Sequence, residues 1–260
     1  MPSNPNLFYQ DHNPGGHPAV LLIHGLGATS DSWQLQVPAL VAAGYRVLAP
    51  DLPGFGRSPV SLPVTVSRTA AGLDHLLRSL NAAPAHVVGI SMGGAVALQL
   101  AADFPQSVAK LVLVNTFARL QPKGLAGWLA FASRLLPVYL TGLSTQARVI
   151  SGRIFPKPGQ EALRQGLYEQ ILQADPRAYR AAMWALARFN LLPKLAGLRI
   201  PTLVVTAEDD RAIAPAIQAQ LLAIPGSRQV VISNAGHGVI AEQPEAFNRE
   251  LLAFLTAAKL

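Results

Sequence analysis

Cysteine is absent from the 260 residues of this chain, and charged residues make up only 13% of it. Without cysteine, the protein has no disulfides, no thiol nucleophile and no cysteine-ligated metal site. Half of the residues are apolar, which argues against disorder and favours one compact domain, or a core domain with an insertion. The lack of cysteine is also compatible with a cytoplasmic location, which we expect.

Long hydrophobic segments are absent too. The most apolar stretch, residues 127–142, is interrupted by Arg134 and Pro137 and is shorter than the roughly 20 residues that a bilayer requires. The first residues have neither a basic region nor an apolar run, so we expect no signal peptide. The motifs of phosphate-binding and dinucleotide-binding loops are also missing. We therefore expect no membrane partner and no nucleotide cofactor, and we expect no nucleic-acid partner.

Positive charge is concentrated in one part of the chain. The net charge is +7 overall, and residues 117–197 alone carry +8, from eleven basic and three acidic residues. Such an excess attracts anionic substrates or an acidic partner. Dispersed basic residues are equally typical of a solvated helical surface, so the distribution leaves an acidic partner open without requiring one.

Apolar strands alternate with amphipathic helices on both sides of this basic segment. Strands that are apolar on both faces are typical of a parallel sheet covered by helices. The predicted strands span residues 19–24, 45–49, 85–90, 110–115, 202–206 and 229–232. The sequence therefore predicts an α/β fold with a mostly parallel sheet that is flanked by helices.

The segment between the fourth and fifth predicted strands has no strand pattern. It contains four helical patches, at 125–136, 138–150, 161–174 and 176–190. Helix breaks are expected at Pro137, Pro156 and Pro158. An all-helical insertion in an α/β chain is typical of a cap over the carboxyl ends of the strands, where such sheets bind ligands. We therefore predict a core of residues 1–117 and 198–260 and a helical cap of residues 118–197.

The strongest chemical signal is the run Gly89-Ile90-Ser91-Met92-Gly93, between a predicted strand and a predicted helix. It fits the pattern G-x-S-x-G, in which a serine on a tight, strained turn is raised to the edge of the sheet. The glycines leave room for the neighbouring backbones, and the positive end of the helix lies beside the hydroxyl. Ser91 is therefore the predicted nucleophile.

A serine nucleophile needs a base, and the base needs a carboxylate to orient it. Of the six histidines, His237 lies in a glycine-flanked loop just after the last predicted strand, which reaches the same sheet edge as the serine. The candidates for the acid are Glu208, Asp209 and Asp210, which follow the preceding strand. The order serine, acid, histidine along the chain is typical of this kind of fold, and we favour Asp210.

Together these motifs resemble the capped α/β-hydrolase family over nearly the full chain. The matching segments are 24–27 (His-Gly-Leu-Gly), 51–58 (Asp-Leu-Pro-Gly-Phe-Gly-Arg-Ser), 89–94, 208–211 (Glu-Asp-Asp-Arg) and 236–237 (Gly-His). The resemblance implies the α/β-hydrolase fold and supports Asp210, the aspartate before the arginine, as the acid. It assigns the oxyanion hole to the backbone N–H groups of Leu26 and Met92. It also implies that His24 has a structural role. Ala207 departs from the family pattern, since many relatives have glycine there, and this costs the acid loop a little freedom without threatening the three predicted side chains.

The predicted activity is that of a serine carboxylesterase, which hydrolyses short- to medium-chain esters of small molecules through an acyl-enzyme. We expect neither a cofactor nor a metal, and the protein is expected to be a monomer or a homodimer. Apolar residues of the cap are expected to line the substrate pocket, namely Trp128, Phe131, Tyr139, Met183 and Trp184.

Three alternatives stay open. The 51–58 motif and the basic cap resemble esterases that release methyl esters from pimeloyl acyl carrier protein, in which case an acidic carrier protein is the partner. A C–C bond hydrolase or an enol-lactonase would use the same three residues. A ligand-binding receptor without turnover is the third alternative, which steady turnover at about 1–1000 per second would exclude. Ser91 itself excludes relatives that use an aspartate nucleophile, such as haloalkane dehalogenases and epoxide hydrolases.

Overall fold

A seven-stranded sheet forms the centre of the computed structural model, which describes residues 7–120 and 124–257 apart from seven side chains between 126 and 138. The strand order is β1-β3-β2-β4-β5-β6-β7. The strands are β1 (Tyr9–His12), β2 (Ala19–Ile23), β3 (Arg46–Pro50), β4 (Ala85–Ile90), β5 (Val108–Val114), β6 (Thr202–Ala207) and β7 (Arg228–Ile232). The strand β1 is antiparallel to β3, and the other six strands are parallel. The predicted mostly parallel α/β fold is confirmed.

Helices cover both faces of this sheet. They are α1 (Val37–Ala42), α2 (Val66–Ser79), α3 (Met92–Asp103), α4 (Gly124–Leu140), α5 (Gly142–Ile154), α6 (Glu161–Leu172), α7 (Pro176–Arg188), α8 (Pro215–Gln218), α9 (Val239–Glu242) and α10 (Pro244–Thr256). Alternate residues of a strand enter opposite cores. In β2, Leu21 and Ile23 belong to one core cluster, and Val20 and Leu22 belong to the other. Burial on both faces explains why the sequence of this strand is continuously apolar.

Two elements of the core differ from the sequence prediction. The strand β1 is not predicted, because its four residues are polar or half-buried at the sheet edge and lack an apolar pattern. The spacing of the apolar residues between Trp33 and Val41 predicts one helix that begins after Asp31 and stops at Gly44. In the structure this segment is divided into a short 3-10 turn, Ser30–Trp33, and the helix α1. Pro38 lies in the first turn of α1, where its missing N–H is not needed, so it favours a new helix start at this point.

The segment between β5 and β6 folds as four helices, α4 to α7, at the positions of the four predicted helical patches. The two ends of the segment meet, since the Leu191 N–H donates to the Ala118 carbonyl oxygen (2.8 Å) and Arg119 pairs with Asn190. This closure attaches the insertion to the sheet directly after β5.

The expected helix break at Pro137 is wrong. The helix α4 continues through this residue to Leu140, and the chain turns at Gly142 instead. Gly142 has a φ of 77°, a conformation that glycine adopts without steric cost, so it supplies the turn. None of the described helices is both long and apolar enough to span a membrane.

His86 and Lys110 lie opposite each other on β4 and β5, and both are buried. The Lys110 ammonium donates to three carbonyl oxygens at the end of α10, those of Phe254, Leu255 and Ala257, at 2.6–2.9 Å. A cation at the carboxyl end of a helix is favourably placed. Burial, together with the positive charge of Lys110, lowers the pKa of His86 to about 4.

This low pKa of His86 is expected to make the fold sensitive to acid. The unfolded chain binds a proton there as the pH falls through about 6.5, whereas the folded chain does so only near 4. The contribution of the neutral His86 to the unfolding free energy is therefore complete above about pH 6.5 and is lost as the pH falls towards 4. Between about pH 7 and pH 5, the unfolding free energy of the wild type should decrease by about 2 kcal/mol more than that of His86→Leu. Urea unfolding of both proteins at the two pH values measures this difference. His75→Leu, at an exposed histidine of α2, should retain the full decrease, and equal pH dependence in the two variants would contradict this assignment.

Candidate active site

Ser91 lies between β4 and α3 in a conformation that residues other than glycine rarely adopt, with φ 54° and ψ −117°. Glycine is required on both sides of it. A Cβ at Gly89 would overlap the Gly93 carbonyl oxygen, and a Cβ at Gly93 would overlap that of Ile23. The Ser91 N–H donates to the Val114 carbonyl oxygen of β5 (2.9 Å). These contacts hold the serine at the amino end of α3, at the edge where the parallel strands end.

The turn that follows β2 lies beside this serine. A Cβ at Gly25 would be 3.6 Å from the Cβ of Ser91. Among the described residues, the backbone N–H groups of Leu26 and Met92 have no hydrogen-bond acceptor. Two unpaired N–H donors next to a serine are able to bind an oxyanion.

His24 fixes this turn. The Leu52 N–H donates to its Nε2 (2.9 Å), so Nδ1 carries the proton and donates to the Gly25 carbonyl oxygen (2.8 Å). Burial lowers the pKa of His24, although the Gly25 carbonyl and the Asp51 carboxylate act in the opposite direction. A neutral, fully bonded imidazole has the structural role that the family resemblance implies for His24.

His237 and Asp210 form a pair on the loops that follow β7 and β6. The His237 Nδ1 is 3.1 and 3.0 Å from the two carboxylate oxygens of Asp210. The same carboxylate accepts the N–H groups of Ala212 (2.8 Å) and Ile213 (3.1 Å) and the Gln218 side-chain amide (2.9 Å). With the proton on Nδ1 directed to the carboxylate, Nε2 is able to accept one from a substrate or a nucleophile.

The other two acid candidates have different partners. Asp209 forms an ion pair with Lys157, whose Nζ lies 2.7 Å from its carboxylate, and this contact lowers the pKa of Asp209. Glu208 accepts a backbone N–H of the loop after β7 (3.2 Å). Among the three candidates, the structure brings Asp210 to His237.

Asn115, directly after β5, connects these loops and is missed by the sequence analysis. Its Nδ2 donates to the carbonyl oxygens of His237 (3.0 Å) and of the preceding glycine (3.2 Å), and its Oδ1 accepts the Ala207 N–H (2.9 Å). The next residue, Thr116, donates its hydroxyl to the Ser91 carbonyl oxygen (2.6 Å). The end of β5 therefore joins the serine turn, the acid loop and the histidine loop. Local pattern does not identify Asn115, because its partners lie 92 to 122 positions away.

The connection between α5 and α6 contacts the histidine loop at two points. The Lys157 ammonium donates to the Asn234 carbonyl oxygen (3.1 Å) in addition to its ion pair. The Gln160 amide donates to Glu242 (2.9 Å), and the other carboxylate oxygen of Glu242 accepts the Gly236 N–H (3.0 Å). The insertion thus holds the loop that carries His237 from one side.

The helices α6 and α7 contact the turn after β2. The Gln170 side-chain carbonyl accepts the Thr29 N–H (3.1 Å). Gly27 has a φ of 78°, and a Cβ there would lie 2.7 Å from Ile171 and 3.2 Å from Tyr179. The four-helix insertion is therefore in contact both with the turn after β2, which lies beside Ser91, and with the loop that carries His237.

An apolar recess lies next to Met92. It is lined by the turn after β3 and by α2, α3 and α7, among them residues Leu52, Phe55, Val66, Met92, Ala182 and Leu186. Apolar walls suit the hydrocarbon part of a small substrate. Leu52 and Phe55 belong to the 51–58 motif, which is the signal that could have identified them from the sequence. In the described part of the chain, no group of three acidic or histidine side chains could hold a metal ion.

The recess is not lined by the described residues that the sequence predicts for the pocket. Trp128 and Tyr139 are 43% and 52% exposed, and Met183 and Trp184 are partly buried on α7. None of these four side chains lines the recess beside Met92, and the face of α4 that carries Trp128 and Tyr139 is turned to solvent. The side chain of Phe131 lies outside the described residues.

Comparison with known proteins identifies the family of the chain. The model of the alpha/beta hydrolase family matches residues 20–250. A protein of Variovorax paradoxus, provisionally named carbamate hydrolase RutD, is 34% identical over 96% of both chains. An enol-lactonase structure from Burkholderia xenovorans has 27% identity and a TM-score of 0.89, covering 98% of this chain and 99% of that one. A thermophilic esterase from Thermogutta terrifontis has 30% identity and a TM-score of 0.85, covering 96% and 92%.

Proposed function

Since the chain belongs to the α/β-hydrolase family and is a hydrolase, we propose that it cleaves carboxylic esters with Ser91 as nucleophile, His237 as base and Asp210 as acid. One arrangement carries this proposal. A strained serine lies beside two unpaired backbone N–H groups, at the sheet edge whose next loops carry an imidazole bonded to a carboxylate. Acyl transfer needs a nucleophile, a base and an oxyanion site, and these groups supply all three.

In the proposed reaction, the Ser91 Oγ attacks the ester carbonyl carbon while the His237 Nε2 takes its proton. The N–H groups of Leu26 and Met92 bind the tetrahedral oxyanion, and one such donor typically contributes about 2.7–4 kcal/mol. The imidazole then gives the proton to the departing alcohol, which leaves the acyl group on the serine. A water molecule, deprotonated by the same imidazole, releases the carboxylic acid and restores the serine. Asp210 keeps the imidazole in the required tautomer throughout.

The recess beside Met92 supports short- to medium-chain esters as the substrate class. Met92 lines this recess, and its N–H is one of the two proposed oxyanion donors, so the recess lies beside the proposed site of the ester carbonyl. The polar residues of its lining are Thr65 and Thr69, and neither carries a charge. We therefore propose that the hydrocarbon chains of the preferred ester substrates are uncharged and apolar.

Carbamate cleavage is a second candidate, which the 34% identity to the Variovorax protein favours. A carbamate presents a carbonyl to the same nucleophile and oxyanion donors, and differs in the nitrogen attached to it. The likeness to the Burkholderia enol-lactonase favours lactone opening in the same way. C–C bond cleavage and the release of methyl esters from an acidic carrier protein are further alternatives that would use the same three side chains.

The proposal is tested by steady-state hydrolysis of p-nitrophenyl acetate, butyrate, octanoate and palmitate, beside a p-nitrophenyl carbamate and an enol-lactone. We expect multiple turnovers on the esters, with kcat/KM highest between acetate and octanoate. A preference for the carbamate or the lactone of more than about tenfold would replace the ester assignment by that substrate class. If none of these substrates is turned over, the ester proposal is wrong, and dienoate C–C substrates become the next to assay.

Lys157 is expected to position the loops that carry the proposed acid and base. Its ammonium group bonds to Asp209 and to the Asn234 carbonyl oxygen. We expect Lys157→Met to lower kcat for p-nitrophenyl butyrate about three- to tenfold with little change in KM, because a small displacement of a general base slows proton transfer. The Tm should fall by less than about 4 °C, since an exposed ion pair contributes about 0–1 kcal/mol.

Lys194 offers a matched control for this variant. It forms a comparable exposed ion pair with Asp103 (3.1 Å), outside the loops of the site. Lys194→Met should leave kcat unchanged, and Lys157→Arg should recover part of the kcat that Lys157→Met loses. Equal losses in the two methionine variants, or a change in KM alone, would contradict a positioning role for Lys157.

A further inference from the structure

The outer face of α4 exposes a row of large apolar side chains. Leu125, Leu129, Leu136 and Leu140 are 78%, 61%, 55% and 72% exposed, and we call these four residues the α4 stripe. At about 100° of rotation per residue, they fall within about 60° of one another around the helix. The α4 stripe is therefore continuous along the length of the helix.

Exposed aromatic residues lie along one side of this stripe. Trp128 and Tyr139 are about half exposed and extend the apolar face to an arc of about 120°. Scattered single apolar residues are normal on protein surfaces, whereas a continuous apolar face marks a site of interaction. The helix α4 packs against α5 and α7, so this face is presented outwards by a supported helix.

The surroundings of the α4 stripe are positively charged. Residues 104–160, which include all of α4 and α5, contain neither aspartate nor glutamate. Arg148 and Arg153 are exposed on α5, and the guanidinium carbon of Arg180 lies 4.8 Å from the centroid of the Tyr139 ring. A partner for this face must therefore accept both apolar side chains and cations.

A second copy of the chain does not meet these requirements. Two α4 stripes would bring together two insertions that each carry +8. A helix of 17 residues is about 25 Å long, so a face about 10 Å wide offers roughly 250 Å². A stable protein interface needs about 800 Å² on each partner. Both the charge and the area argue against a dimer through α4.

We propose that the α4 stripe lies on an anionic lipid surface, with its leucines in the interfacial region and the arginines of α5 and α7 at the headgroups. Leucine and tryptophan on one face and arginine nearby are the composition of helices that lie in the plane of a membrane interface. Such a helix needs one apolar face rather than the length of a span, so the absence of a spanning segment from the sequence does not exclude it.

Vesicle co-sedimentation of the full chain tests this proposal. The probes are vesicles of phosphatidylcholine alone and vesicles with about 30% phosphatidylglycerol. We expect binding to the anionic vesicles, weaker binding to the neutral ones, and a decrease in binding between about 0.1 M and 0.5 M NaCl. The double variant Leu129→Glu with Leu136→Glu should lower the partition coefficient on anionic vesicles at least about tenfold.

The matched control is Leu222→Glu, which makes the same change at a leucine that is 42% exposed outside the insertion, and it should bind as the wild type does. Failure of the wild type to bind anionic vesicles would overturn the proposal, and so would equal binding by the double variant. Sedimentation equilibrium without vesicles tests the alternative of a second copy. If the wild type is a dimer and the double variant is a monomer, the partner of the α4 stripe is a second copy of the chain and not a lipid surface. Hydrolysis of p-nitrophenyl butyrate without vesicles should be the same in wild type and double variant, so the outcome for the surface is independent of the proposed ester hydrolysis.

Discussion

Replacing Ser91 by alanine is expected to lower kcat/KM for p-nitrophenyl butyrate by at least about 10³-fold. The variant loses the oxygen that would form the acyl-enzyme, and retains only substrate binding and the oxyanion donors for direct attack by water. Alanine keeps the Cβ and the backbone contacts to Val114 and Thr116, so the turn itself should persist. The initial burst of p-nitrophenol that reports acylation should disappear, while the Tm should stay close to that of the wild type.

Ser79→Ala is the matched control for this loss. Ser79 is an exposed serine near the end of α2 whose hydroxyl donates to the Leu76 carbonyl oxygen (2.9 Å), and its removal should leave kcat/KM unchanged. If Ser91→Ala retains more than about a tenth of the wild-type kcat/KM, another group must be the nucleophile. If the activity is lost together with the fold, the near-UV circular dichroism of the variant would reveal it, and the comparison would then be made with Ser91→Gly, which adopts a positive φ without strain.

The positions of Ser91 and His237 at the sheet edge could be predicted from the sequence, because each depends on a short run of neighbouring residues. A serine at positive φ needs glycines on both sides where backbones approach closely, and these glycines are visible as a pattern. His237 likewise follows an apolar strand in a glycine-flanked loop. The sheet topology determines that these residues lie at the same edge, because parallel strands end there and the residues after β4, β6 and β7 follow those ends.

The residues that support the site could not be predicted in this way. Asn115 and Lys157 act through partners that are close in space but distant in the chain, and their own neighbours in the sequence show no pattern. The recess beside Met92 is built from four separate elements, so no single stretch of the sequence indicates it. Trp128 and Tyr139 of α4 have side chains typical of a pocket wall but are about half exposed, because composition does not determine which side of a helix faces the sheet.

Replacing Asp210 by asparagine is expected to lower kcat about 10³- to 10⁴-fold with little change in the fold. Its carboxylate accepts hydrogen bonds from two backbone N–H groups and from Gln218, besides its contact with His237. The Gln218 amide is fixed as a donor, since its nitrogen also donates to the Ile213 carbonyl oxygen (2.9 Å). Every described neighbour of the carboxylate therefore donates to it. The Gln218 Oε1, which is buried without a partner, could accept from the NH₂ group of an asparagine only if this amide turned over and lost its bond to Ile213, so the imidazole is the acceptor that remains without such a rearrangement.

That imidazole would have to accept at Nδ1 and carry its proton on Nε2, which is the wrong tautomer for deprotonating Ser91. Asp209→Asn makes the same chemical change one residue earlier, at a carboxylate that is 44% exposed and paired with Lys157. It removes an ion pair but leaves the hydrogen bond to His237 intact, so kcat should fall less than about tenfold. Similar losses in the two variants would mean that the loop needs both carboxylates for its shape. A larger loss for Asp209→Asn would assign the acid to Asp209, against the contacts of the structure. We expect instead that Asp210→Asn loses at least about a hundredfold more kcat than Asp209→Asn, which would show that Asp210 acts by fixing the tautomer of His237.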